Sequence, residues 1–356
     1  MSSAPTTADP ARLRTVADRV ESRLTDLLDG ECSRWARVDP DLVAPVDTLA
    51  GLVLGSGKRL RPAFCYWSFV GAGGDPDDPR IVDAGAAFEL LQAFAVIHDD
   101  VMDGSPSRRG ARTAHLTYAD HHGRAGWLGE ARRFGEGVAI LIGNMAHVLA
   151  DQLVRDATRG AGLAVWDELR LELNMGQYLD MVGTARHDTE IDRARLVARY
   201  KSGKYTVERP LHVGAALAGR GEESFGALSR YGDPVGEVFQ LRDDLLDIFG
   251  DAALTGKPIG ADLREGKPTT LLAAAVARCP PTEADLLARV GASDLSAHEV
   301  ARIGALMESC GARAEIETLI ATLTERAIAA LASVPITDAA RDALVELARF
   351  VATRDH

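Results

Sequence analysis

The stretch LLQAFAVIHDDVMD, Leu90 to Asp103, sets the architecture of this chain. It is an apolar run with the period of a helix, yet it ends on three aspartates, Asp99, Asp100 and Asp103, within five residues. Carboxylates drawn partly out of water resist ionising, and like-charged neighbours resist it further, so the cluster is unfavourable without a cation among them. On a helix the i, i+4 spacing stacks Asp99 and Asp103 on one face, where two carboxylates can share a hard divalent ion.

The helical period extends through most of the 356 residues. Residues 1–9 read as a flexible leader, and residues 10–356 as a single domain. Pro10 is placed to open a first helix with apolar positions Leu13, Val16, Val20, Leu24 and Leu27. Further helices are predicted at 44–55, 59–71, 79–102, 111–120, 135–158, 161–183, 192–201, 204–219 and 221–248, and then at 269–277, 283–290, 296–309, 311–332 and 337–352. Breakers fall at Gly71–Pro79, His121–Gly126, Gly250–Gly260 and Ala277–Asp285. Alternating β-branched runs are absent, so the fold class is all-α.

Composition removes whole classes of function. A net charge of −12 argues against a nucleic-acid partner, because phosphate backbones demand a basic face. The N-terminal MSSAPTTADPARLR has no apolar signal core. The apolar run Gly137–Ala150 is too short, and too interrupted by Asn144 and His147, to span a bilayer, which predicts a cytoplasmic protein without a transmembrane segment. Cys32, Cys65, Cys279 and Cys310 stand far apart without a C-x-x-C pair, as expected of reduced, mostly buried thiols.

A second acidic cluster, DDLLD, places Asp243, Asp244 and Asp247 at the end of VGEVFQLRDDLLDIFGD. One D-D-x-x-D is a short pattern and is more often a solvated helix face. Two copies closing apolar helices point to function. Magnesium favours few protein carboxylates plus phosphate oxygens, so two such faces opposed across a cavity would grip a diphosphate. Cations accompany them: Lys58, Arg59 and Arg61 in GSGKRLRP, Arg108 and Arg109 in SRRG, Lys201 and Lys204 in YKSGKYT, Lys257 in TGKPIG and Lys267 in REGKPT. The last three of these stretches read as helix-breaking turns. Together the cations line sites for two anionic groups, one bridged by metal and one held by arginine and lysine alone.

In this order the motifs GKRLRP, DDVMDGSPSRRG, GQYLD, KSGKYT, FQLRDDLLDIFGD and DLREGKPT resemble those of the trans-isoprenyl diphosphate synthases of the polyprenyl synthetase family, across Gly55 to Thr270. The resemblance implies a bundle of about 10–14 helices around a deep central apolar cavity, as a homodimer. It assigns Asp99, Asp103 and Asp243 to magnesium, with Asp100, Asp244 and Asp247 as lesser candidates, about three ions being held with substrate bound and manganese able to substitute. Arg108, Lys201, Ser202, Gln240, Lys257 and Lys267 match positions that hold the allylic diphosphate. Lys58, Arg61, Gln92 and Arg109 match those that hold isopentenyl diphosphate. Asp99, Asp103, Asp243, Lys201 and Lys257 are the catalytic set on this reading. Ser202 stands where threonine is common and Asn144 where aspartate often follows glycine.

The chemistry implied is head-to-tail condensation of isopentenyl diphosphate with dimethylallyl, geranyl or farnesyl diphosphate. Magnesium and lysines stabilise the departing diphosphate, the apolar cavity keeps water from the allylic cation, and the released diphosphate takes the proton. His98 reads as structural. Phe88, Leu91, Phe94 and Ala95 line the helix below the acids. Phe88 would lie about 16 Å beneath Asp99, room for three to four isoprene units of roughly 5 Å each, which favours a C20 product, geranylgeranyl diphosphate. Farnesyl diphosphate and longer chains are the alternatives for product. A class I terpene cyclase would lack the basic isopentenyl site, and a non-catalytic partner subunit would be expected to have lost aspartates.

Overall fold

A computed structural model describes residues 11–355 apart from Ser56, Arg109, Arg159 and residues 252–257. The expected leader, Pro10, Arg109 and Lys257 therefore lie outside the described residues. The protein is all-α, with 80% of the described residues helical. Among the described residues the strands are two antiparallel arms of two residues each, Ser107–Arg108 and Ala111–Arg112.

The chain forms two compact units. The first comprises Ala11–Ala164 with His212–Gly221, and the second comprises Val165–Leu211 with Glu222–His356. In the first unit the helices are α1 (Ala11–Ala36), α2 (Val43–Val53), α3 (Leu60–Gly71), α4 (Pro79–Asp103), α5 (Ala114–Ala125) and α6 (Ala131–Ala157). Helix α4 starts where Asp78 caps the Arg80 amide and Pro79 takes the first helical position, which needs no amide donor. Eight consecutive residues, Ala84 to Leu91, are buried, all but Glu89 uncharged, so α4 is enclosed on all sides there and packs on α1, α2, α3 and α6 as the core of this unit. In α1 the inward row is Leu13, Val16, Val20, Leu24 and Leu28; Leu28 takes the place expected of Leu27 because the four-residue step continues.

The second unit contains α7 (Ala161–Arg186, whose first turn belongs to the first unit), α8 (Ile191–Val197), a π-helical segment (Ala198–Glu208), α9 (Arg209–Leu217, which runs on into the first unit) and α10 (Phe225–Phe249). Beyond them lie α11 (Ala261–Glu265), α12 (Thr270–Arg278), α13 (Ala284–Leu287), α14 (Ala297–Ser309), α15 (Ala312–Ala330) and α16 (Asp338–Thr353). Helix α10 is its centre, packed on the π segment, α12, α15 and α16.

Three expectations are corrected. KSGKYT is not a helix-breaking turn: the chain runs through it as a π-helix, and Gly203 serves close packing, since a Cβ there would stand 3.0 Å from the Gly236 backbone of α10. The helix predicted to end at residue 120 runs on to Ala125 and stops at Gly126, in the left-handed conformation, at the far end of the expected breaker His121–Gly126; His122 is buried in that last turn, its Nε2 3.1 Å from the Leu128 carbonyl. Of the four free thiols Cys65 is buried, while Cys32, Cys279 and Cys310 are half-buried. Helices α4 and α6 have the length and mean hydropathy to cross a bilayer, but 61% and 44% of those windows are buried within the protein.

Candidate active site

In the first unit the functional side chains gather at the end of α4. Asp99 and Asp103 are half-buried one turn apart, and Asp100, turned away from their face, is buried. Gly104 ends the helix in the left-handed conformation, donating its amide to the Asp100 carbonyl, and the hairpin returns Arg108 to the acids. Arg108 donates to Asp100 Oδ1 through Nε at 2.9 Å and Nη2 at 2.5 Å, and Nη2 lies 3.5 Å from Asp99 Oδ2. The buried Thr113 hydroxyl bonds the Ser105 carbonyl at 2.9 Å, which fixes the hairpin's base. Asp99 and Asp103 offer hard carboxylate oxygens from one helix face, a donor set that suits magnesium rather than a softer metal.

Lys58 and Arg61 flank a residue that the sequence marks only as basic. Arg59 adopts φ 51°, ψ 38°, the left-handed region that disfavours a side chain, at the start of α3. Its buried guanidinium pairs with Glu89 of α4 at 2.6 Å and bonds the Gly55 carbonyl at 3.3 Å. This anchor fixes the backbone from which half-buried Lys58 and buried Arg61 project. Gln92 is half-buried on α4. His98 is structural, as expected: a Cβ on Gly143 would collide with its ring, and its Nε2 lies 3.2 Å from the Ile140 carbonyl. Burial lowers the His98 pKa, an effect only partly countered by that bond. Phe88 and Leu91 are fully buried, Ala95 is half-buried, and half-buried Phe94 packs its ring against His98 and His147.

In the second unit the π segment carries Lys201 and half-buried Ser202. Lys201 Nζ pairs with buried Asp180 of α7 at 2.6 Å. The close approach depends on Gly176, where a Cβ would lie 2.3 Å from the Lys201 nitrogen. Beneath them Lys204 bridges Glu172 and Glu208, at 2.9 Å each, while Arg209 grips Glu172 through two 2.7 Å bonds. Burial alone would raise the Glu172 pKa, but the hydrogen bonds from Arg209 and Lys204 outweigh it and hold the carboxyl below its usual value. Such π insertions recur at functional sites because they redirect a side chain without ending the helix.

The second acidic motif divides by role. Asp244 is buried, accepts from Gln240 at 2.9 Å and from the Thr270 amide at 3.2 Å, and so caps α12. Burial, reinforced by the neighbouring charges of Asp262 and Asp243 and only partly opposed by those donors, pushes its pKa up to about 8. Asp247 accepts from the amides of Ala261 and Asp262, at 3.1 and 3.2 Å, and caps α11. Asp243 is more open than Asp244 and pairs with Arg354, just beyond α16. Lys267 pairs with Glu265 at 2.7 Å and lies 4.0 Å from Asp262. The sequence reading missed Glu89, Glu172, Asp180 and Arg354 as partners; of these, only Asp180 carried a signal, being the last residue of GQYLD.

Residues 46–307 match the polyprenyl synthetase family. The chain is 31% identical to the geranylfarnesyl diphosphate synthase of Aeropyrum pernix, over 85% of this chain and 92% of that one. It is 30% identical to the geranylgeranyl diphosphate synthase of Mycobacterium tuberculosis, over 98% of each. Among solved structures, a geranylgeranyl pyrophosphate synthase from Corynebacterium glutamicum complexed with isoprenyl diphosphate and magnesium superposes with a TM-score of 0.90 at 37% identity, covering 96% of this chain and 99% of that one. The matched span takes in both acidic motifs and the basic segments around them, and the chain therefore belongs to the polyprenyl synthetase family, as a prenyltransferase with the all-α isoprenoid synthase fold.

Proposed function

We propose that the protein is a magnesium-dependent enzyme that condenses isopentenyl diphosphate head-to-tail with allylic diphosphates to give geranylgeranyl diphosphate, residues 10–356 serving as one catalytic domain. The observation that carries this reading is the presence of both acidic motifs together with the basic residues of both substrate sites in a chain of this family. Asp99, Asp103 and Asp243 would hold the ions, whose chemistry is to neutralise charge on the departing diphosphate. Arg108, Lys201, Ser202, Gln240 and Lys267 orient that diphosphate, and the Lys201–Asp180 pair fixes the lysine in place. Lys58, Arg61 and Gln92 hold isopentenyl diphosphate by charge-assisted hydrogen bonds. Asp244 and Asp247 support this arrangement by holding α11 and α12.

Geranylgeranyl diphosphate is favoured as product by the bulk of Phe88 and Leu91 low on α4, where both side chains are fully buried, and by the two geranylgeranyl diphosphate synthases among the similar proteins. Incubating purified protein with magnesium, dimethylallyl diphosphate and radiolabelled isopentenyl diphosphate, then separating the dephosphorylated alcohols, tests the reading. Mainly C20 alcohol is expected. Chiefly C15 or C30 alcohol would refute the length, and no prenyl product from any allylic primer would refute the reaction.

The protein is further proposed to act as a soluble homodimer. Exposed apolar side chains on α6 of the first unit (Ile140, Leu141, Val148), and separately on α7 in the second unit (Leu171, Met175, Tyr178), support that reading.

A further inference from the structure

Asp243 of the second acidic motif pairs with Arg354, a residue outside every motif that marks this chain and 111 positions away. Arg354 directly follows α16, and its side chain is 7% exposed. Its Nη2 also donates to the Phe239 carbonyl at 3.1 Å, and the guanidinium sits over the Phe239 ring, 4.5 Å from its centroid. Phe239 and Asp243 are one turn apart on α10, so carbonyl, ring and carboxylate form one receptor for the guanidinium. Helix α16 is itself fastened to α10, where the buried Tyr231 hydroxyl donates to the Leu344 carbonyl at 2.7 Å. The positive charge beside Asp243 is therefore a fixture of the fold.

We propose that Arg354 is a positioning residue that keeps Asp243 charge-compensated while no diphosphate is present, so that this carboxylate takes a divalent ion only together with a diphosphate. The inference rests on Asp243 being a metal ligand, as proposed above. A guanidinium held against one carboxylate oxygen offsets the negative charge that would attract a cation, and it repels a doubly charged ion directly. A diphosphate brings several negative charges of its own and reverses that balance. The guanidinium can meanwhile stay in its receptor, orienting the carboxylate as partners of metal ligands do.

Manganese binding to the full-length protein, followed by electron paramagnetic resonance with and without inorganic diphosphate, tests this. Without diphosphate, Arg354→Gln should bind manganese about tenfold more tightly than wild type, and adding Asp243→Asn should abolish the gain. Arg354→Lys, which keeps the charge, should stay near wild type. In the otherwise native chain Asp243→Asn should leave diphosphate-free binding unchanged and weaken binding by about tenfold when diphosphate is present, a comparison that holds even if Arg354→Gln fails to fold. If Asp243→Asn weakens binding only with diphosphate but folded Arg354→Gln gains nothing, the role of Arg354 falls and the ligand survives. Equal weakening in both conditions also overturns the role of Arg354. If Asp243→Asn changes binding in neither condition, the ligand assignment falls and the proposal with it.

Discussion

Replacing Glu89 with alanine tests whether a buried ion pair holds the basic segment in place. Arg59 and Glu89 are 3% and 8% exposed in their side chains and meet at 2.6 Å, so neither has water to fall back on. Removing one partner strands the other charge, at a cost of about 3–5 kcal/mol. Arg59 retains its bond to the Gly55 carbonyl, which places the expected loss near the lower end of that range, about 3 kcal/mol. The melting temperature followed by circular dichroism should fall by roughly 4 °C, and KM for isopentenyl diphosphate should rise, because Lys58 and Arg61 flank the released residue. A double-mutant cycle isolates the cause: Arg59→Met with Glu89→Met should be more stable than either single variant, since a packed apolar pair replaces the ion pair without stranding a charge. Additive losses in that cycle, or a Glu89→Ala protein within about 1 kcal/mol of wild type, would refute the reasoning.

Asp99→Ala and Asp243→Ala should each lower turnover by about a thousandfold or more with the fold intact, and near-normal turnover in both would dismiss them as ligands. Glu172 has its carboxyl held below the ordinary value, so its contribution to stability is complete above the unfolded pKa and is lost as pH falls through the lower folded one. Denaturant melts from about pH 4.5 downward should therefore show a drop that Glu172→Gln flattens; an unchanged slope would contradict this. Gly176→Ala puts a methyl group 2.3 Å from the Lys201 nitrogen. It should cost about 1–3 kcal/mol of stability and raise KM for the allylic substrate, and unchanged values of both would show that the π segment is not held by that contact.

The helical architecture was legible because burial in this protein follows the 3.6-residue period, as the row Leu13, Val16, Val20, Leu24 shows. KSGKYT was misread because a glycine that weakens an isolated helix here permits two backbones to touch, a demand that local sequence does not carry. Helix α11 escaped notice because five residues are too few to display a period. The acidic motifs announced themselves by spacing, but spacing could not tell open Asp243 from buried Asp244, since that depends on what α11 and α12 place against them. Arg354 and Glu172 could not be found as partners, because their contacts join residues 111 and 37 positions away.

The division of labour inside DDLLD changes how intolerance to substitution should be interpreted there. Asp244 and Asp247 hold the first amides of two later helices, so losing either should damage the scaffold, whereas losing Asp243, the proposed ion ligand, should damage chemistry. A saturation scan would return three intolerant positions and make them look alike. Compensating substitutions elsewhere that raise overall stability would restore the two capping positions and leave the third inactive. Suppressor genetics can thus separate, within five consecutive residues, the acids that shape the protein from the acid that works for it.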